Sequence, residues 1–278
     1  MKAAGKFLLR HWPSSALIAF LLIVIMRPHT MERYFVYYPI KEVSGDPSQL
    51  GLKFSELALV TEDNVKIHGW FVPREDAGVT LMVFHGNAGN IGHRVSWIEM
   101  LRNAGASVCI IDYRGYGRSE GQPFEKGLYR DADAAYQWWV KERSATGEKL
   151  VLLGESLGGC VAVDLAARVP VAGVILQSTF TSAWDMAKTI LPLGLLQPVS
   201  GVHFRSDLKI SKVMVPKLFL HGNQDEIIPF RLGKKLFDLA PGSKEFYEVA
   251  GAGHNDLPWV AGQEYGRRIS KFLAQLNR

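Results

Sequence analysis

The chain has 278 residues, of which 47% are hydrophobic and 21% charged, with two cysteines and a formal net charge of +5. This length allows one large α/β domain or two small ones. So few cysteines exclude a disulfide scaffold, and so much apolar content excludes a mainly disordered chain.

The first element along the chain is an apolar run, Ala16–Met26, in the most basic part of the sequence. Residues 1–33 hold five Lys or Arg side chains and one Glu, so +4 of the total +5 lies there and the other 245 residues carry about +1. A nucleic-acid-binding domain should be basic within its fold. We therefore expect no nucleic-acid partner.

Three interpretations of residues 1–33 are open. We favour an uncleaved signal anchor that spans the membrane once, with Trp12 at one interface and the aromatic cluster of residues 34–38 near the other. The second interpretation is a cleaved signal peptide, which would need an A-x-A-like site where the sequence has RPHTMERY. The third is a buried core helix, which a run this short also suits. The flanking basic residues favour an N-terminus inside and a main domain outside the cytoplasm; a domain facing the cytoplasm, or secreted after cleavage, is the alternative.

The rest of the chain divides into a linker packed on the domain, 34–52, and one domain, 53–278. Apolar runs predict eight strands, at 54–60, 66–72, 79–84, 107–111, 149–153, 172–177, 217–221 and 245–249. Amphipathic stretches predict helices between most of them, at 91–103, 125–143, 157–168, 231–239 and 259–276. The first two strands form an antiparallel hairpin, and the later alternation of strands and helices indicates parallel βαβ units. We therefore expect an α/β fold with a mostly parallel eight-stranded sheet flanked by helices, a small cap insert at 181–213 and an N-terminal hydrophobic helix.

The pattern G-x-S-x-G occurs twice, in different surroundings. Residues 154–158, GESLG, follow the apolar strand LVLL and open a helix of small residues, a context in which a sharp turn raises the serine hydroxyl above the sheet. Residues 117–121, GRSEG, follow no predicted strand and precede Gln122-Pro123, which is typical of a turn. Ser156 is therefore the candidate nucleophile.

A nucleophilic serine needs a base, and the base needs an acid to orient it. In one recurrent chain order the acid follows the serine and the histidine comes last. Asp225 follows the seventh predicted strand and His254 the eighth, both at carboxyl ends of strands, where active groups of open α/β sheets gather. Each residue alone has an ordinary explanation, as a turn, cap or surface residue. Their order and shared edge predict a triad of Ser156, His254 and Asp225.

A loop rich in glycine and asparagine, HGNAGNIGH at 85–93, follows the third predicted strand. Together with the residue after the nucleophile, such a loop supplies two backbone N–H groups to a developing oxyanion. Those groups are here Asn87 and Leu157. A phosphate-binding loop is the alternative, but the segment lacks the Walker Lys-Ser/Thr ending and a G-x-G-x-x-G spacing.

Five segments in this order, HGNAGNIGHR, DYRGYGRSEG, GESLGG, LHGNQDEIIP and GAGHND, resemble the α/β-hydrolase-fold serine hydrolases of the BEM46 and ABHD13 group. The second and last of them also resemble the related depalmitoylases of the ABHD17 type. The resemblance covers most of residues 34–278. It implies an α/β-hydrolase fold, commonly preceded by an N-terminal membrane segment.

The resemblance also implies roles for single residues. Ser156 would be the nucleophile, His254 the general acid/base and Asp225 the orienting acid, preferred over Glu226 and Asp256. Backbone N–H groups of Asn87 and Leu157 would bind the oxyanion. Structural roles are implied for Asp112, Arg114, Tyr116, Gly117, His85 and His221.

Such a site predicts hydrolysis of a carboxylic ester or thioester, from a small-molecule or lipid-like acyl substrate, through an acyl-enzyme. No cofactor and no metal are expected; Cys109 and Cys160 suit small core positions. Trp184, Met186 and Leu191 of the cap are candidates for an acyl pocket, or they simply pack the insert on the sheet. A serine peptidase and a non-catalytic, membrane-tethered binding protein are the alternative functions, and the oligomeric state stays open.

Overall fold

The computed structural model of the chain describes residues 35–189 and 202–276. Its strands form one eight-stranded sheet and one two-stranded sheet. They are β1 Tyr38–Pro39, β2 Ser55–Val60, β3 Lys66–Val72, β4 Val79–Phe84, β5 Ala88–Gly89, β6 Ser107–Ile111, β7 Lys149–Glu155, β8 Gly173–Gln177, β9 Lys217–Gly222 and β10 Lys244–Val249.

The large sheet has the strand order β10-β9-β8-β7-β4-β6-β3-β2. β3 is antiparallel to both of its neighbours, β2 and β6, and all other adjacent pairs are parallel. The predicted mostly parallel eight-stranded sheet is confirmed. We call the edge at which β4 and β6–β10 end the carboxyl edge; every candidate catalytic residue lies there.

Helices cover both faces of the large sheet. They are α1 Val95–Asn103, α2 Glu125–Glu142, α3 Leu157–Ala166, α4 Ala183–Ala187, α5 Ser206–Lys209, α6 Phe230–Leu239, α7 Leu257–Ala261 and α8 Gln263–Leu276. All six residues of β4 are buried, and they alternate between two cores. Leu81 and Val83 pack with α1, α7 and α8, whereas Met82 and Phe84 pack with α2, α3 and α6. The fold is therefore a three-layer α/β/α arrangement.

The structure differs locally from the predicted elements in three places. The predicted helix at 259–276 is two helices, α7 and α8, because Gly262 between them has a φ of +55°. The segment predicted to begin a helix at 91 starts with a 3₁₀ turn, Ile91–Arg94. Residues 35–52 contain β1, which pairs in parallel with β5, and a 3₁₀ helix, Pro47–Leu50.

Two predicted features fall wholly or partly outside the described residues. The apolar run Ala16–Met26 lies outside them, and so does the middle of the insert at 181–213, including Leu191. Within residues 35–189 and 202–276, no helix has both the length and the apolar character needed to cross a bilayer.

Candidate active site

Ser156 occupies a strained turn between β7 and α3. Its φ of +54° and ψ of −118° are uncommon for a residue with a side chain, and such strain is characteristic of functional turns. The turn depends on glycine because a Cβ on Gly158 would lie 2.0 Å from the carbonyl oxygen of Phe84. Two hydrogen bonds hold the backbone of Ser156: its N–H donates to the Gln177 carbonyl at 2.8 Å, and the Thr179 hydroxyl donates to its carbonyl at 2.7 Å.

His254 lies between the serine and an acid. Its Nε2 is 3.1 Å from the Ser156 Oγ, and its Nδ1 is 2.8 Å from the Asp225 Oδ2. All three residues are buried, so these hydrogen bonds lie in a region with little competition from water. The three side chains predicted to act together are brought into one hydrogen-bonded line.

The carboxylate of Asp225 is held by its own loop. Oδ1 accepts from the backbone N–H groups of Ile227 at 3.0 Å and Ile228 at 2.7 Å, and Oδ2 lies 3.2 Å from His221 Nε2. Burial by itself raises the pKa of Asp225, but the hydrogen bonds from His221 and His254 outweigh it and hold that pKa below its ordinary value. The carboxylate is therefore ionised at neutral pH and fixes the orientation of the imidazole.

The two rival acids hold the histidine loop instead of the imidazole. The Asp256 Oδ1 accepts from the N–H of Gly253 at 2.8 Å, and the Glu226 Oε2 accepts from the N–H of His254 at 3.3 Å. Asp225 is therefore the acid that contacts the imidazole.

Asn87 and Leu157 flank the serine from two segments. Leu157 follows Ser156 directly as the first residue of α3. The carbonyl oxygen of Asn87 accepts from the Tyr38 N–H at 2.9 Å and from the Tyr116 hydroxyl at 2.7 Å, which fixes the backbone on the carboxyl side of Asn87. The Asn87 side-chain amide donates to the Val36 carbonyl at 2.9 Å, but within the part of the chain that the structure describes neither the Asn87 nor the Leu157 backbone N–H donates a hydrogen bond. Both stay available to an oxyanion.

Comparisons with known proteins place the chain in a family. A family model described as "alpha/beta hydrolase fold" matches residues 79–207. Protein bem46 of Schizosaccharomyces pombe is 34% identical over 239 residues, 82% of this chain and 79% of that protein. The α/β hydrolase domain-containing protein WAV2 of Arabidopsis thaliana is 33% identical over 265 residues, 86% of each chain. The chain belongs to the BEM46 group of α/β hydrolases.

A further relative agrees with the family, and a solved structure agrees with the fold. An uncharacterized membrane protein of Saccharomyces cerevisiae is 37% identical over 229 residues, 76% of each chain. A solved esterase of Pyrococcus furiosus shares the fold, with a TM-score of 0.73 at 20% identity over 86% of this chain and 98% of the esterase. The fold and the family expected from the five segments are confirmed.

One contact of this α/β hydrolase was missed from the sequence. The Oε2 of Glu155, the residue before the candidate nucleophile, accepts from the N–H of Gly86 at 3.1 Å and lies 3.5 Å from the Nε of Arg94. Glu155 therefore ties the Asn87 loop to the nucleophile turn. The available signal was a charged residue ending a strand that is otherwise apolar after its first position.

Several residues to which the resemblance gave structural roles make buried contacts. His85 is buried and its Nδ1 donates to the Gly86 carbonyl at 2.7 Å; burial lowers the pKa of His85 to about 4, although the nearby Asp112 charge opposes this. Asp112 accepts from the Ile91 N–H at 2.9 Å. Arg114 pairs with Asp63 and Asp131. These contacts are made with other parts of the scaffold, as the structural roles require.

The residues proposed for an acyl pocket have different environments. Met186 packs against the core that contains α3, while Trp184 is 38% exposed with the Lys188 ammonium 4.9 Å from its ring centre. A groove of about 770 Å³ between α1, α7 and α8 is lined by neither residue.

Cys109 and Cys160 are buried free thiols, and burial raises the pKa of Cys160 to about 12. Among the described residues, no group of three His, Cys, Asp or Glu side chains is arranged to hold a metal ion.

Proposed function

We propose that this α/β hydrolase is a serine esterase or thioesterase that works through an acyl-enzyme. The observation that carries the proposal is the hydrogen-bonded line from Ser156 Oγ through His254 to Asp225, with contacts of 3.1 and 2.8 Å. A serine hydroxyl at its ordinary pKa is a weak nucleophile, and a neutral imidazole at this distance removes its proton as attack proceeds.

In the first half-reaction, His254 Nε2 takes the hydroxyl proton while Ser156 Oγ bonds to the acyl carbon. The negative charge that develops on the substrate oxygen is stabilised by the N–H groups of Asn87 and Leu157. The bond to the alkoxide or thiolate leaving group then breaks, and His254 returns its proton to that group. The acyl group is left on Ser156.

In the second half-reaction, His254 removes a proton from water, and the resulting hydroxide attacks the acyl-enzyme carbonyl. Collapse of this second tetrahedral intermediate breaks the bond to Ser156 Oγ and releases the carboxylic acid, and His254 returns the proton to the serine. Asp225 stays ionised throughout and stabilises the imidazolium formed in each half-reaction.

The cap and the N-terminus suggest a substrate class. We propose that Trp184, Met186 and Leu191 line an acyl pocket and that the substrate is a small-molecule or lipid-like acyl ester. We further propose that Ala16–Met26 anchors the protein in a membrane, with its N-terminus inside and its domain outside the cytoplasm. In support, the relative from Saccharomyces cerevisiae is named a membrane protein.

A fluorophosphonate probe tests the chemistry, because it forms a stable bond only with an activated serine. The wild-type protein should be labelled and Ser156→Ala should not. A failure of the wild type to label would overturn the hydrolase proposal in favour of a binding protein. A panel of acetyl to octanoyl esters, run beside peptide substrates, should show higher kcat/KM for medium acyl chains and no peptide cleavage.

A further inference from the structure

The exposed aromatic rings of the described chain are concentrated on one side. In the part of the chain that the structure describes, four aromatic side chains are more than a third exposed, and all four lie in segments at the carboxyl edge. Phe35 and Tyr38 precede and form β1, which pairs with the loop after β4; Trp184 lies in α4 after β8; Trp259 lies in α7 after β10.

Aliphatic side chains continue this pattern around the candidate site. Ile40 is 46% exposed in the segment after β1, where its carbonyl accepts from the N–H of Gly117 after β6. Ile227 is 46% exposed in the loop that holds Asp225, and Val260 is 45% exposed in α7. Because β7 with Ser156 lies between β4 and β10 in the sheet, these side chains stand on both sides of the candidate site.

Such an arrangement matters because of the residue types involved. Single exposed apolar side chains are normal on a protein surface, and those that the structure describes away from this edge, such as Met214 before β9, are not aromatic. Trp and Tyr have an apolar ring with a polar atom, so they favour the boundary between lipid and water. A rim of this composition suits a lipid headgroup layer.

The sequence before β1 indicates what the exposed apolar side chains at the carboxyl edge contact. Ala16–Met26 ends nine residues before Phe35, and nine residues span at most about 30 Å even when fully extended. An anchor in the bilayer would therefore keep Phe35, and with it the carboxyl edge, close to the headgroups.

We infer that the carboxyl edge, with Phe35, Tyr38, Ile227 and Trp259 on its rim, docks on the surface of the lipid bilayer that anchors the chain. The mouth of the candidate site then faces the bilayer, and an acyl chain reaches Ser156 from the lipid side without crossing bulk water. The docking rests on the proposed membrane anchor, and the consequence for substrate delivery rests in addition on the proposed hydrolase function.

The test uses the full chain reconstituted in vesicles of phosphatidylcholine with a minor share of phosphatidylglycerol. Ile227→Cys and Trp259→Cys are each labelled with an environment-sensitive fluorophore, with Met214→Cys, at 65% exposure, as the matched control. Cys109 and Cys160 are buried and should not react. Spin-labelled lipids should quench the fluorophores at positions 227 and 259 and leave the one at 214 bright.

Equal behaviour at the three positions would overturn the docking. Shielding of positions 227 and 259 from aqueous iodide without quenching by lipid would also overturn it, since that result assigns the face to a protein partner. In a second measurement, Trp259→Ser should lower hydrolysis of a vesicle-borne ester several-fold while a soluble short ester is cleaved as before. If neither ester is cleaved by the wild type, the hydrolase proposal has failed, and the fluorescence result still decides the docking.

Discussion

The two copies of G-x-S-x-G show how little the motif itself determines. Ser156 sits on a turn with positive φ, and its hydroxyl faces an imidazole nitrogen at 3.1 Å. Ser119 sits in a loop, where its hydroxyl donates to the Asp112 carbonyl at 2.7 Å and accepts from the His68 N–H at 2.9 Å. Both serines are buried, so burial does not separate them.

The difference lies in what each hydroxyl can still do. Among the described residues, the hydrogen-bond partners of Ser119 Oγ are two backbone groups, so its proton stays in a structural hydrogen bond. Ser156 Oγ has a base on one side, and its backbone is held by separate partners, Gln177 and Thr179. A strand before the serine and a helix after it produce this separation, and only the 154–158 copy has both.

Replacing the two serines gives the largest contrast. We expect Ser156→Ala to lower kcat for ester hydrolysis by about 10⁶-fold, because the nucleophile is lost. Ser119→Ala should keep its activity per folded molecule and lose about 2 kcal/mol of unfolding free energy, because two buried hydrogen bonds are lost. Steady-state kinetics and denaturant unfolding measure the two effects. Loss of activity in folded Ser119→Ala would contradict the assignment.

Removing the charge of the acid should have the next largest effect. Asp225→Asn is expected to lower kcat by roughly 10³- to 10⁴-fold, since the amide favours the wrong tautomer of His254. Asp256→Asn is the matched control: its side-chain oxygen can still accept from Gly253, so its kcat should stay close to that of the wild type. Similar losses in the two variants would mean that the acids share one role in holding the loop.

The sequence could predict the features that local patterns determine, but not those that depend on contacts between residues far apart in the chain. Apolar runs such as Val79–Phe84 are local and placed β4 correctly. Ser156, Asp225 and His254 each follow a predicted strand, and this order placed residues that are far apart in sequence at the carboxyl edge of the sheet. Contacts without a local sequence pattern were not predictable. β1 is two residues long and therefore too short to show an alternation, and Glu155 contacts Gly86, 69 positions away.

Acidic pH should lower the stability of the fold through His85, whose Nε2 lies 3.7 Å from the Asp112 Oδ1. The pKa of His85 is about 4 in the folded protein because of burial, against about 6.5 in an unfolded chain. Between these values the unfolded state binds a proton that the folded state does not, so stability falls as pH falls through this window. At the acid end of this window the loss of unfolding free energy reaches up to about 3 kcal/mol, because each pH unit changes it by about 1.36 kcal/mol.

Unfolding of His85→Gln at several pH values between 7 and 4 tests this expectation. The stability difference between wild type and variant should shrink as the pH falls, because the variant lacks the titrating group. His203→Gln, which removes an exposed histidine, is the control and should keep a constant difference. A constant difference for His85→Gln as well would show that another group carries the acid dependence.

The smallest expected effect concerns Glu155, which ties the Ser156 turn to the Asn87 loop through the N–H of Gly86. Glu155→Leu cannot accept from the Gly86 N–H, and the loss of one such hydrogen bond, about 1.4 kcal/mol, should lower kcat about tenfold. KM should stay unchanged, because the Asn87 amide contributes mainly when the oxyanion forms. Glu155→Gln keeps an acceptor oxygen and should retain most of the activity. Two outcomes would show that the charge of Glu155 acts on substrate binding instead of loop position. One is an equal loss of activity in the two variants, and the other is a change in KM with kcat unchanged.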